Sequence, residues 1–201
     1  AYLAAIRSIG RTEEYFYMPV FESAAMIPPQ TRREALTEVR AQLDTVSGSI
    51  LNIRVGGNDL SHAFGLRRPA NRTIYDLRPV ADILIDIVAA FGTQYVVSGP
   101  VWEYYSGEGW EEGLRREMEL DLLNGFTGKT VIHPNQIPVV NEMLRVSQRD
   151  YADARAILNW DTGSGSLVSA SEDGGRMNEY NTHSRWARRI VLRAERYGVR
   201  A

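Results

Sequence analysis

The sequence predicts an α/β protein in which parallel strands are covered by helices. Three observations carry this. Short apolar runs of strand length alternate with stretches of helical periodicity. Each run ends in a glycine-rich, proline-containing or polar turn. The 201 residues are 44% apolar and 24% charged, the balance of a globular domain.

The elements follow in order. Residues 15–21 (YFYMPVF) are aromatic and apolar and stop at Glu22, as a strand would. Beyond Pro28-Pro29, Leu36, Val39, Leu43 and Val46 recur at helical spacing, giving an amphipathic helix over about 31–46. Residues 50–55 (ILNIRV) form a second strand that runs into Gly56-Gly57-Asn58-Asp59. Val80, Ile83, Leu84, Ile87, Val88 and Phe91 mark a helix closed by Gly92. Residues 94–98 (QYVVS) are a third strand ending at Gly99-Pro100, 110–123 a third helix, and 130–132 a short fourth strand ending at His133-Pro134. Helical segments continue to about Trp160. Residues 161–175 (DTGSGSLVSASEDGG) then read as a linker or lid, and a last amphipathic helix spans about 182–197 with Gly198 as its stop.

Four βα units place the four strand-end turns on one face. In a barrel or in a doubly wound sheet, that face carries the ligand. No GxGxxG or P-loop pattern occurs, which disfavours the doubly wound nucleotide-binding alternative. The chain opens on Ala1 with a segment that reads as the interior of a helix, so an N-terminal part is expected to be absent. That opening has no export-signal pattern, and the expected location is the cytoplasm.

Composition narrows the chemistry. Cysteine is absent, which excludes disulfides, thiolate metal sites and a cysteine nucleophile. A net charge of −2 argues against nucleic-acid binding by bulk phosphate attraction, and no apolar run reaches the ~18–20 residues of a membrane span. The three histidines are scattered. Of 23 basic residues only Lys129 is a lysine, and it falls just before its expected strand, toward the face opposite the turns, which disfavours a Schiff base. Oxygen chemistry remains. Glu22 and Asp59 follow adjacent strands, close enough to share one hard cation such as Mg²⁺. The alternative is that Glu22 caps its turn and Asp59 caps a short helix at 60–64. Glycines at 56 and 57 let the backbone approach a ligand, and successive N–H groups there can cradle a carboxylate. His133 is a candidate ligand hydrogen-bonder or a structural residue, and Trp102, Tyr104 and Tyr105 wall the pocket or pack on the surface. Arg185, Arg188, Arg189, Arg193 and Arg196 read as a solvated helix face.

The stretch Gly125-Phe-Thr-Gly-Lys-Thr-Val-Ile-His-Pro-Asn-Gln-Ile-Pro-Val-Val-Asn141 resembles the last barrel strand and following helix of citrate lyase beta-subunit-like proteins, in the HpcH/HpaI aldolase superfamily with malyl-CoA lyases as relatives. Val20-Phe21-Glu22-Ser23 is similar to that family's metal-glutamate strand. Val55-Gly56-Gly57-Asn58-Asp59-Leu60 is similar to its metal-aspartate turn, and residues 174–180 with Trp186-Ala187-Arg188 to its C-terminal lid.

The resemblance implies a (β/α)₈ TIM barrel of which this chain supplies about strands five to eight. Residues 1–160 would be the C-terminal half of the barrel and 161–201 the linker, lid and terminal helix. It implies a Mg²⁺-dependent carbon–carbon lyase acting next to the enolate of a 2-oxo or 2-hydroxy carboxylate or an acyl thioester. Glu22 and Asp59 would hold the metal, and Gly57, Asn58, Pro100 and His133 would bind substrate. Glu179 would serve as the lid acid in a homo-oligomer, a trimer or a multiple of one. Asn58 stands where relatives often carry an acid, and Met177-Asn178-Glu179 sets Glu179 one place after the usual lid aspartate. Those departures leave room for an HpaI-like pyruvate aldolase, or for a catalytically idle barrel that binds a ligand or partner.

Overall fold

The computed structural model describes Ala5, Ser8, residues 15–161, Gly163, Ser166 and residues 168–200. Of the opening segment read as helix interior, Ala5 and Ser8 are helical and the rest lies outside the described residues. The chain divides between Pro134 and Asn135 into two compact units.

The first unit holds four strands, β1 (Val20–Phe21), β2 (Ile53–Val55), β3 (Val97–Gly99) and β4 (Gly128–Lys129), all parallel and in the order β1-β2-β3-β4. Between and beside them run α1 (Pro29–Asp44), α2 (Gly57–Ala63), α3 (Arg78–Phe91) and α4 (Trp110–Leu123). Pro29 opens α1, where its missing N–H costs no bond. Gly109 precedes α4 at φ 74°, a left-handed conformation suited to glycine.

Register assigns each residue to a face. Phe21 pairs with Val55 and Ile53 with Val97, and these side chains pack into a core with Leu36, Ile83, Leu84, Ile87 and Phe91 on the helix side. Each such fully buried side chain contributes about 1.5–3 kcal/mol. Val20, Arg54, Ser98 and Gly128 pair in turn across the sheet on the opposite face. Phe16, Met18 and Val20 stand 51%, 46% and 44% exposed and alternate with the less exposed Tyr17, Pro19 and Phe21. This alternation explains the apolar run at 15–21, of which only Val20 and Phe21 join the sheet, with Tyr17 bridged to Ile50.

The fourth strand is displaced from its expected place at 130–132. Gly128 and Lys129 pair with Ser98 and Gly99, and Thr130 adds one more ladder bond to the Gly99 carbonyl at 3.0 Å. Val131 and Ile132 lie past the strand end, 37% and 53% exposed. Lys129 is therefore a strand residue on the helix side.

The second unit contains α5 (Gln136–Met143), β5 (Val146–Ser147), α6 (Gln148–Leu158), β6 (Val168–Ala170), β7 (Met177–Glu179), α7 (Tyr180–Tyr197) and β8 (Val199–Arg200). α6 and α7 bury Ala154, Ile157, Ala187, Ile190 and Ala194 with Val146. The Ser147 hydroxyl caps α6 by accepting the Asp150 N–H at 3.1 Å. Part of the expected linker is a strand, because β6 pairs antiparallel with β7. The intervening turn is fixed by the Ser171 hydroxyl donating to Asp173 Oδ1 at 2.6 Å. Arg176 closes it by bonding Asp150 and Asp153 while lying 5.3 Å over the Trp186 ring. Arg185, Arg188, Arg189 and Arg196 are exposed on α7, whereas Arg193 is half-buried and burial pulls its guanidinium below the usual arginine range.

Candidate active site

β1 and β2 end side by side, Phe21 against Val55, so the residues just beyond them are neighbours. Gly56 donates its N–H to the Phe21 carbonyl at 3.1 Å and carries the ladder one step further. Glu22 follows Phe21, and Asp59 sits in the first turn of α2. Both carboxylates converge over the Gly56 Cα. A Cβ built there would collide with the Glu22 carboxylate and lie 3.2 Å from Asp59 Oδ2. Glycine at 56 is thus required by close approach. Both acids are exposed, and among the described residues neither takes an ion pair or hydrogen bond from a side chain. The capping alternatives considered for Glu22 and Asp59 therefore have no bond to support them, as no side chain caps either helix start.

Two exposed carboxylates facing one another repel, and a cation between them relieves that repulsion. Oxygen donors suit a hard ion, and Mg²⁺ characteristically takes one or two protein carboxylates and completes its octahedron with water and substrate oxygens. Among the described residues no group of three or more His, Cys, Asp or Glu forms a metal cluster, and the pair offers oxygen donors alone, without the nitrogen or sulfur ligands that zinc sites favour.

Gly57 opens α2 wedged between two walls. A Cβ there would sit 2.6 Å from Ile74 Cδ1 and 2.6 Å from Pro100 Cβ. Asn58 follows, its Oδ1 buried without a hydrogen-bond partner. His133 lies just past β4, stacked on Tyr105 with ring centroids 4.3 Å apart and planes at 12°. Trp102 instead is wholly buried, donating to the Trp110 carbonyl at 2.9 Å beneath the Arg68 guanidinium, and so holds structure rather than lining a pocket. Glu179 belongs to the second unit. Its N–H donates to His183 Nδ1 at 3.0 Å, and its carboxylate accepts the Thr182 hydroxyl at 3.2 Å. Asn178 next to it is buried and donates to Asp153 at 3.1 Å, leaving Glu179 as the acid near the surface.

Behind the strand ends lies a second pair of acids, which sequence reasoning missed. Glu117 and Asp121 project from α4 and are fully buried. Lys129 Nζ donates to Glu117 Oε1 and to Asp121 Oδ2, both at 2.7 Å. Arg68 approaches Glu117 Oε2 at 2.9 Å, the Ile74 N–H donates to the same oxygen at 2.8 Å, and the Tyr75 hydroxyl donates to Asp121 Oδ1 at 2.7 Å. Burial beside Asp121 pushes the Tyr75 hydroxyl far above its ordinary value, so it stays a donor. Burial also raises the Asp121 carboxyl, against the pull of Lys129. A signal was present: Glu117 and Asp121 share the face of Leu114 and Met118, and acids on an apolar stripe need a buried cation, for which the chain's one lysine follows α4 closely. Arg54 is the other omission. It is a cation inside an apolar strand that leaves the helix side, with Nε 3.4 Å from Thr130 Oγ1.

Comparison with known proteins gives the family and the fold. Residues 1–199 match the family model described as C-C bond lyase of the TIM-barrel fold. Over 74 residues, 36% of this chain and 22% of the relative, the chain is 38% identical to the L-malyl-CoA/beta-methylmalyl-CoA lyase of Cereibacter sphaeroides (strain ATCC 17025 / ATH 2.4.3). It resembles protein CitE from Mycobacterium tuberculosis, solved with magnesium, acetoacetate and coenzyme A, at 25% identity and TM-score 0.55 over 73% of this chain and 53% of that one. It shares the fold of a citrate lyase from Burkholderia xenovorans LB400 at 17% identity and TM-score 0.67, covering 98% of this chain and 58% of that one. The chain thus spans about a fifth of the curated relative and just over half of each solved structure. With its parallel strands, covering helices and near-complete family match, the chain belongs to the C-C bond lyase family of the TIM-barrel fold.

Proposed function

We propose that this chain carries the metal-binding part of a Mg²⁺-dependent carbon–carbon lyase of the citrate lyase and malyl-CoA lyase type, acting on a 2-oxo or 2-hydroxy carboxylate or its acyl thioester. The observation that carries the reading is the convergence of Glu22 and Asp59 over Gly56. The magnesium bound to the CitE relative supports the choice of ion.

In this reading Glu22 and Asp59 supply the protein oxygens that hold the ion. When bound, the ion supplies Lewis-acid stabilisation of the negative oxygen that develops as the carbon–carbon bond breaks. The N–H groups of Gly57 and Asn58, in the unpaired first turn of α2, orient the substrate carboxylate. Pro100 closes one wall, and His133, held flat by Tyr105, donates to a substrate oxygen. Glu179 is assigned as the acid of a lid that reaches the site of a neighbouring subunit, where it exchanges a proton with the substrate carbon. Lys129, the one lysine of this chain, faces α4 and is held by two carboxylates, away from the strand-end turns where an iminium would form. The assembly is read as a cytoplasmic homo-oligomer, a trimer or a multiple of one, whose remaining barrel strands cover the exposed face of Phe16, Met18 and Val20. No nucleic acid or membrane takes part in this reading.

The test is Mn²⁺ or Mg²⁺ titration of the intact protein, followed by metal-dependent exchange of pyruvate methyl protons with deuterium and by acyl-thioester cleavage. Thioester cleavage supports the lyase. Exchange without it points to a pyruvate aldolase. Metal binding with neither activity points to an idle barrel, and an absence of metal binding overturns the reading.

A further inference from the structure

The buried charges behind the strand ends touch the proposed metal site through two separate routes that meet at one residue. In the first, Lys129 Nζ holds Glu117 Oε1 at 2.7 Å, and Glu117 Oε2 accepts the Ile74 N–H at 2.8 Å. The Ile74 side chain then presses on Gly57, where an added Cβ would stand 2.6 Å from its Cδ1. In the second, Lys129 Nζ holds Asp121 Oδ2 at 2.7 Å. The Asp121 carboxylate lies flat against Gly99, where an added Cβ would be 2.7 Å from its carboxyl carbon. Gly99 leads directly into Pro100, the other wall against Gly57. Gly57 is the first residue of α2, and Asp59 stands two residues on.

We propose that Lys129 is a positioning residue: by drawing Glu117 and Asp121 together, it clamps Ile74 and Pro100 on Gly57 and so fixes the turn that presents Asp59 to the ion. The proposal rests on the metal reading above. Lys129 touches neither metal nor substrate in it, since its side chain leaves the sheet on the helix side and is fully buried. A lysine suits this task because one ammonium can donate to two carboxylates at once while its stem packs under the strand. Residues that support a metal ligand in this way typically change metal affinity by about 10–100-fold when lost.

The geometry separates positioning from mere stability. Arg68, Lys129, Glu117 and Asp121 form a buried group of two cations and two acids, and Glu103 at its edge, 4.0 Å from Arg68, is matched by Arg67 at 2.8 Å. Lys129→Met leaves one acid uncompensated, whereas the double variant Lys129→Met with Asp121→Asn restores balance, keeping Arg68 against Glu117. Neither variant alters Glu22, Gly56 or Asp59.

The experiment measures Mn²⁺ affinity by electron paramagnetic resonance, together with the thermal midpoint, for the intact protein and both variants. The expected result is a lowered midpoint and Mn²⁺ binding weakened about tenfold or more in Lys129→Met. In the double variant the midpoint recovers while Mn²⁺ binding stays weak. Two results overturn the proposal: unchanged Mn²⁺ affinity in Lys129→Met, or affinity that returns with the midpoint in the double variant, which would make Lys129 purely structural. If the parent protein takes up no Mn²⁺, the metal reading itself fails and this inference falls with it. Asp59→Asn as a control separates the cases, because it removes Mn²⁺ binding without touching the buried group.

Discussion

Two pairs of acids belong to the first unit, one at the strand ends and one behind the sheet on α4, and they meet opposite fates. Glu22 and Asp59 face each other in the open over a glycine, with no cation from the described residues. Glu117 and Asp121 are sealed behind the sheet, matched by Lys129 and Arg68 and by donors from Ile74 and Tyr75. The difference teaches that a carboxylate's role follows from what saturates it. A buried acid with its donors in place belongs to the architecture, and removing one partner is costly. An exposed acid pair without donors adds little to stability and is free to take an ion from solution.

The sharpest way to break this contrast is to neutralise each pair in turn. Asp59→Asn should reduce metal-dependent turnover about a thousandfold, the scale of losing a main electrostatic stabiliser, while the urea midpoint stays level or rises slightly as repulsion is relieved. Steady-state kinetics beside a denaturation curve checks both halves. Glu117→Leu should do the reverse in kind: it leaves Lys129 with Asp121 alone and Arg68 with only the more distant Glu103, and equilibrium unfolding should show a loss of about 3–5 kcal/mol. An Asp59→Asn variant that melts early, or a Glu117→Leu variant that does not, would erase the distinction.

A finer probe adds a single methyl group. Gly56→Ala drives a Cβ into the Glu22 carboxylate, so Mn²⁺ affinity should fall about tenfold. Gly48→Ala meets nothing within 4 Å and should leave metal binding unchanged, with stability altered by about 1 kcal/mol or less. Calorimetric titration of the two variants side by side is the measurement.

The smallest expected effect is in pH. Asp76 accepts the Thr73 N–H at 2.7 Å, which, ahead of its other partners, holds its carboxyl below the ordinary 3.8. The unfolded chain therefore takes up this proton at higher pH than the folded one, and stability from Asp76 is present above about pH 4 and lost as the pH falls further. Asp121 runs the other way. Its carboxyl is raised by burial, so the folded chain keeps a proton that the unfolded chain releases, and stability declines as the pH rises from 3.8 through the folded value. In Asp121→Asn the decline of unfolding free energy above pH 3.8 should disappear, leaving the loss at lower pH that Asp76 contributes.

The sequence carried much of this. The helices at 78–91 and 110–123 are legible because their apolar positions recur on one face, and β2 and β3 because short apolar runs stop at glycine. Glu22 and Asp59 stand out because each lies just past the end of an apolar run. The fourth strand was misplaced because Lys129 looks like a surface residue in one dimension, and only the partners on α4 make it an interior one. Within the Gly/Ser-rich stretch at 161–175, nothing in Val168-Ser-Ala170 announces the β7 partner that gives it strand geometry. The grouping of Arg68, Glu117, Asp121 and Tyr75 joins residues up to 61 positions apart from Lys129, and no local pattern encodes that meeting.

One detail of the packing offers a practical dividend. Gly113 has no side chain, and the space is taken by the Trp102 indole and the Ala70 carbonyl. Of the four tryptophans, Trp102 alone is completely shielded from water, and its ring lies under the Arg68 guanidinium. Its emission should be blue-shifted relative to the others and sensitive to any loosening of that cation. The first unit therefore contains a native optical gauge, one that reports on the integrity of the hidden charges without a label or an added dye.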